Sequence, residues 1–251
     1  MSKKSGLVIV TPIWQPQFSP IELRRIQSSL KLNSIFPHFF LAPEGLDTVH
    51  YHEEFPSSSF KFFPSKFFRS VNDYNRLLLT KNFYETFQDF HHMLILQSDA
   101  ILINPIDYQA MKEFDYIGAP WEKSVSIIRV GPRLFINSRL SRILPSTRFQ
   151  VGNGGLCFRN VKMFQDMFFK SPFSEIIEFA SQKKLLQNED VVWSYLCAIS
   201  KAKVPSADQA GRFFMETTAR ETKNVPKGII GFHDLETHNP ELELMLIEMG
   251  G

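Results

Sequence analysis

Short, wholly apolar runs cut off by proline or by polar residues most constrain what this chain can fold into. Leu7-Val8-Ile9-Val10-Thr11 ends at Pro12, Phe39-Phe40-Leu41-Ala42 ends at Pro43, and Met93-Leu94-Ile95-Leu96 runs into Gln97-Ser98-Asp99-Ala100. Runs of this length, apolar on both parities, are strands buried on both faces. Between the first two, Ser19-Pro20-Ile21-Glu22 places Ser at an N-cap, Pro at the first helical position and Glu three residues on, a capping box. Leu23, Ile26 and Leu30 then recur at helical spacing. Strand, helix, strand is the opening of an α/β sheet. Further helices are expected from Ser70 to about Lys81, around Phe83 and Phe87, over 161–183 with a break at Pro172, from Glu189 to about Ser200 behind Asn188, and from Asn239-Pro240 onward. Asp115 to Trp121 reads as a short strand closed by Pro120, and Ile229 to Phe232 as a last apolar segment.

With 251 residues and no visible linker or repeat, the expectation is one α/β domain over 1–251, a mixed and mostly parallel sheet flanked by helices. Lys plus Arg is 28 against 26 Asp plus Glu, so net charge predicts no nucleic-acid partner. Cys157 and Cys197 lack ligand spacing, which excludes a structural zinc site and fits free thiols in a reducing compartment. The apolar run before Pro12 is too short for a signal peptide or a membrane span, so a cytoplasmic chain is expected. Nothing in the sequence reports on oligomeric state. The 25 phenylalanines are read as core packing.

Strands that end in polar residues suggest a ligand crevice at those ends. Asp99 follows an apolar strand, where a carboxylate presents itself as a ligand for a hard cation or caps the next turn. Val151-Gly152-Asn153-Gly154-Gly155 spends three of twelve glycines in one loop, either a hairpin turn or a close backbone approach to a ligand. Glu189 and Asp190 open a helix, where the macrodipole favours them and would keep a carboxylate ionised as a general base. His233, after an apolar segment, is a core or turn residue, a metal ligand or a phosphate donor.

In order, Tyr74-Asn75-Arg76-Leu77, Gln97-Ser98-Asp99-Ala100, Tyr116-Ile117-Gly118-Ala119-Pro120-Trp121, Val151 to Gly155, Glu189-Asp190-Val191 and a late Gly-Phe-His resemble the GT-A-fold glycosyltransferases. The chain is most similar there to a mainly microbial glycosyltransferase-like family catalogued as a domain of unknown function, over about Leu7 to His233. The resemblance implies sugar transfer from a nucleotide-sugar donor to a hydroxyl of a glycan or glycolipid in surface polysaccharide synthesis, with inversion. It implies nucleotide contacts from Thr11, Pro12, Arg69, Asn75, Arg76, Gln97, Ser98 and Asp99. Trp121, Asn153, Gly154 and Gly155 would line the sugar and acceptor region, and Asp190 would be the base, with Glu189 second. Asp99 and His233 would hold Mn²⁺ or Mg²⁺, although Gln97 stands where a DxD-type motif has its first carboxylate. The rivals are a sugar nucleotidyltransferase, which would need a Gly-rich basic loop after the first strand, and a non-catalytic glycan-binding descendant.

One stretch stands outside that pattern. No Asp or Glu occurs from Lys123 to Gln165, while Lys123, Arg129, Arg133, Arg139, Arg142, Arg148, Arg159 and Lys162 do. The expectation is a basic insertion at about 122–150, with Arg139, Leu140, Arg142, Ile143 and Leu144 as a short amphipathic helix. It would be a solvated loop paired with acidic helices, a site for an anionic acceptor, or a peripheral membrane contact through 123–148 at the inner face.

Overall fold

The computed structural model describes residues 5–136, 141, 143–182, 188–220 and 225–250. The chain opens with β1 (Ser5–Pro12), α1 (Pro20–Leu32), β2 (His38–Pro43), α2 (Val49–Glu54) and β3 (Ser59–Phe63), then a 3-10 turn at Ser65–Phe68. Next come α3 (Val71–Leu78), α4 (Lys81–Thr86), β4 (Phe90–Leu96), β5 (Ala100–Leu102), α5 (Tyr108–Met111), β6 (Tyr116–Gly118), β7 (Pro120–Val130), β8 (Arg133–Ile136), β9 (Thr147–Val151) and β10 (Leu156–Asn160). The remainder is α6 (Val161–Met167), α7 (Phe173–Gln182), α8 (Glu189–Ile199), α9 (Ala207–Ala210), β11 (Phe214–Met215), a 3-10 turn at Thr217–Arg220, β12 (Gly231–His233), α10 (Leu235–His238) and α11 (Pro240–Gly250).

The central sheet runs β3-β2-β1-β4-β10-β6, with β3, β2, β1 and β4 parallel and β10 antiparallel to both of its neighbours. Its inner strands β1, β4 and β10 are buried on both faces, and each parity feeds a different core, while the edge strand β3 is largely exposed. Val8, Val10, Met93 and Ile95 pack on one side with α4, α6 and α8, where Trp193, Tyr84 and Phe164 pack ring against ring. Leu7, Ile9, Leu94 and Leu96 pack on the other with α1 and α2, where Phe40 meets Tyr51, Phe55 and Phe60. The phenylalanine excess is thus largely core. Both cysteines are free and buried.

The capping box at Ser19 forms as read: Ser19 Oγ accepts from the Glu22 N–H (3.4 Å) and Glu22 Oε2 accepts from the Ser19 N–H (2.9 Å). Three expectations change. The helix expected from Ser70 to Lys81 stops at Leu78, because Thr80 caps a new helix by accepting from the Phe83 N–H (3.3 Å). Pro120 does not close a strand but opens the eleven-residue β7, as a residue without an N–H can at a strand's first position. Within 122–150 the described residues form the three-stranded antiparallel sheet β8-β7-β9 where a solvated loop was one of the expectations. Gly131 at φ +59° makes the two-residue turn between Val130 and Arg133. Arg139, Leu140 and Arg142 of the expected helix lie outside the described residues.

Candidate active site

The sheet order places β1 between β2 and β4, so the connections leave β1 and β4 in opposite directions and open a crevice at their C-terminal ends. A cavity of about 610 Å³ lies there. Pro12 and Trp14 reach it from the end of β1, and Gln97, Ser98 and Asp99 from the end of β4. Asn153 to Gly155 come from the loop before β10, and Asn188 to Asp190 from the start of α8. The sequence-expected residues therefore converge, with exceptions. Thr11 is fully buried and its hydroxyl lies 3.0 Å from His38 Nε2, inside the sheet and away from the cavity. Arg76 is not on the cavity wall but turns to Asp73 (3.3 Å). Ser98 borders the cavity, but its hydroxyl donates to Glu22 Oε1 (2.6 Å), tying the site to the first turn of α1. Arg69 and Asn75 do line it; Asn75 Nδ2 donates to Asn188 Oδ1 (3.3 Å), so Asn188 engages another side chain instead of capping its own helix.

A small sheet assembles the charged end. In the order β11-β12-β5, His233 pairs with Ala100 and Phe232 with Met215, which brings His233 beside Asp99 and Glu216. His233 Nε2 is 3.4 Å from Asp99 Oδ1, and His233 Nδ1 is 3.2 Å from Glu216 Oε1. Burial works against a charged ring, but Asp99 and Glu216 outweigh it and raise His233 to about 10. Burial would likewise raise the two carboxyls, and His233 holds both below their ordinary values. The charged ring donates its Nδ1–H to Glu216. On the other side, the buried His233 Nε2 and Asp99 Oδ1 face each other as an ion pair, and neither makes a hydrogen bond to any other group among the described residues. This pair, one carboxylate oxygen and one imidazole nitrogen, is close enough to share a divalent cation that displaces the Nε2 proton. Gln97 supplies no second carboxylate. Glu216 also groups with Asp234 and His238, whose ligand atoms lie within 4.8 Å of one another.

The acidic pair divides into two roles. Glu189 is fully buried and takes Arg159 in a two-pronged bond (2.9 and 3.0 Å), while Arg159 also donates to Tyr84 Oη (2.8 Å). Both of its oxygens are committed, so Glu189 is a buried strut and not a spare base. Asp190 is only partly buried, faces the cavity, and accepts from the Val191 N–H (2.7 Å). Enclosure by the walls, then the charge of Glu189, pushes its carboxyl up to about 7. The macrodipole does not hold it fully ionised at neutral pH, as the sequence suggested. A carboxyl that titrates near 7 is better matched to general-base work than an ordinary aspartate.

The glycine loop is not a hairpin, since β9 pairs with β7 whereas β10 pairs with β4 and β6. Its one positive φ belongs to Asn153 (+89°) and not to a glycine. Asn153 Oδ1 accepts from the Gly155 and Leu156 N–H groups (2.8 and 3.0 Å), and its Nδ2 donates to Glu216 Oε2 (2.7 Å). The glycines serve close packing of protein on protein: a Cβ at Gly155 would collide with His233 Nε2, and one at Gly154 with Glu189 Oε1. Trp121 stands at the same wall with its ring 6.0 Å from Phe149.

Sequence reasoning missed Trp14, Phe68, Tyr74 and Glu216 on this cavity. Trp14, 52% exposed two residues beyond β1, could have been found as an aromatic at a strand end. Glu216 follows a two-residue strand and had no local signal.

The family model described as "Protein of unknown function (DUF5672)" matches residues 57–233. No curated protein sequence matches significantly. Among solved structures, galactosyltransferase LgtC, in complex with donor and acceptor sugar analogs, aligns over 96% of this chain and 95% of that chain at 15% identity and a TM-score of 0.56. An LgtC active-site mutant, Q189E, aligns over 97% and 95% at 14% identity and a TM-score of 0.58. The likeness to core-mannan synthase A from Aspergillus fumigatus, in a Mn/GDP form, is weaker: 80% and 72% coverage, 9% identity and a TM-score of 0.48. The chain therefore belongs to the family of proteins of unknown function that this model describes, and its mixed, mostly parallel sheet flanked by helices is the GT-A glycosyltransferase fold.

Proposed function

We propose that this protein transfers a sugar from a nucleotide-sugar donor to a hydroxyl of a glycan or glycolipid acceptor, with inversion at the anomeric carbon. The observation that carries this reading is one cavity lined both by Asp190, whose carboxyl is raised, and by the Asp99–His233 pair. The donor's base and ribose would lie against Trp14, Arg69 and Asn75, and its diphosphate near Asp99 and His233. A divalent ion held by Asp99 Oδ1 and His233 Nε2 would neutralise charge on the departing diphosphate. Glu216 would hold the Nδ1 proton of His233, so that Nε2 could act as the ligand once the incoming ion displaces its own proton.

The chain's own step is proton removal. Asp190, ionised above pH 7, takes the proton of the acceptor hydroxyl. That oxygen forms its bond to the anomeric carbon as the bond from that carbon to the diphosphate oxygen breaks, and the nucleoside diphosphate leaves with the electron pair. A base on the acceptor side, with no carboxylate spent as a nucleophile, is the arrangement for inversion. Trp121 offers an aromatic face to the acceptor sugar.

The test is a panel of nucleotide sugars with mixed glycan acceptors, read by release of nucleoside diphosphate and by NMR of the product's anomeric centre. The reading expects Mn²⁺-stimulated release dependent on one donor, with inverted product. Retained configuration would remove Asp190 from the role of base, and release from no donor would leave only a binding protein.

A further inference from the structure

From Lys123 to Gln165 the sequence has no carboxylate, and the fold turns part of this stretch into a three-stranded sheet whose hairpin end is exposed. β7 pairs with β9 only as far as Ile127, whereas Ile127 to Val130 pair with β8, so the turn end of the β7–β8 hairpin stands beyond the third strand. Val125, Ile127, Leu134, Ile136 and Phe149 face the main core. By register the opposite face carries Ile128, which is buried, and then Val130, Arg133, Phe135 and Arg148, while Arg129 shares the parity of Ile127 and Leu134. Val130 is 60% exposed and Phe135 46%, and Ile143 and Leu144 ahead of β9 are 81% and 46% exposed. Lys123, Arg129, Arg133 and Arg148 are all exposed, and among the described residues none of them makes an ion pair. Arg133 lies instead over the Phe179 ring, 5.7 Å from its centroid. The solvated loop paired with acidic helices is therefore not what these four cations form.

We propose that this hairpin face docks the protein on an anionic lipid bilayer. Unpaired arginines set among exposed aliphatic and aromatic side chains match a surface that is anionic at its headgroups and apolar just beneath them. A water-soluble polyanion would satisfy the arginines but leave Val130, Ile143 and Leu144 in water. The other end of the same strand begins at Pro120–Trp121 on the cavity wall, about 30 Å away at 3.3 Å per residue. Docking through the hairpin holds the cavity within that distance of the membrane.

The experiment is co-sedimentation of the full chain with phosphatidylcholine vesicles with and without phosphatidylglycerol, at low and high salt. Binding is expected only to the phosphatidylglycerol vesicles and is weakened by salt. Arg133→Ser with Arg148→Ser lowers the partition about thirtyfold, from the usual contribution of two basic residues near an anionic surface. Val130→Ser with Phe135→Ser lowers it too but leaves the salt dependence in place. Arg148→Ser alone, with a loss of about fivefold, replaces the pair if the melting temperature of the double variant falls. No binding to anionic vesicles, or equal binding by all variants, overturns the proposal. So does arginine-dependent binding to heparin by a protein that ignores vesicles, because the partner would then be a soluble polyanion. The assay reads the surface whether or not the cavity transfers a sugar, so its failure leaves the proposed transfer untouched.

Discussion

Asp190→Asn separates a working base from a structural carboxylate, because it moves rate and stability in opposite directions. The folded chain holds the Asp190 proton up to about pH 7, against an ordinary 3.8. An unfolded chain gives that proton up near pH 4, so the native state loses stability as pH rises from about 4 to 7 and levels off above. Three units correspond to an upper limit of about 4 kcal/mol. Asp190 faces an open cavity, so water screens part of this, and about 2 kcal/mol is the working figure. Asn carries no charge and escapes the loss. At pH 8 the variant should melt about 5 °C above the parent, and at pH 4 the two should coincide. Turnover should fall on the order of 10²–10⁴-fold, with donor affinity nearly unchanged. The assays are melting curves at both pH values and steady-state release of nucleoside diphosphate. A melting gap that is the same at pH 4 and pH 8, or near-normal turnover, would refute the reasoning.

Other substitutions test the neighbouring parts. Glu189→Gln strands the buried Arg159 charge and should cost about 3–5 kcal/mol, a fall of roughly 10 °C in melting temperature; an unchanged melting point with lost activity would return Glu189 to the role of base. Glu216→Gln should weaken Mn²⁺ binding about 10–100-fold by calorimetry, because His233 loses the partner that fixes its Nδ1 proton. Gly155→Ala should drive His233 off its position, abolishing Mn²⁺ binding and destabilising the fold by about 1–3 kcal/mol; a variant that binds Mn²⁺ normally would show that the close approach at Gly155 does not matter. For the parent, activity should fall as pH drops through 7, with the midpoint tracking Asp190; a flat profile to pH 5 would contradict that.

The centre of the sheet was legible because its inner strands are buried on both faces and so read as nearly unbroken apolar runs, Leu7 to Thr11 and Met93 to Leu96 being the plainest. The site was legible where a residue follows such a run directly, as Asp99 does, or opens a helix, as Asp190 does. Thr11 was misplaced because a strand's last residues alternate inward and outward, and sequence alone does not say which parity meets the cavity. The β7–β9 sheet was hidden because its strands mix exposed and buried positions and its turn is a Gly-Pro pair inside a basic stretch. Glu216 was hidden for another reason. It reaches His233 through pairings of strands two and three residues long, and nothing local announces a contact set by such partners.

The central claim is that the cavity between β1, β4 and α8 receives a nucleotide sugar across a cation held by Asp99 and His233. The most direct measurement is a calorimetric titration of nucleoside diphosphates and their sugar conjugates into the protein, with and without Mn²⁺, repeated on Asp99→Asn. The account predicts one nucleotide class that binds more tightly with Mn²⁺ and loses that gain in Asp99→Asn. Binding of no nucleotide under any of these conditions, or a Mn²⁺ gain that survives Asp99→Asn, would contradict it.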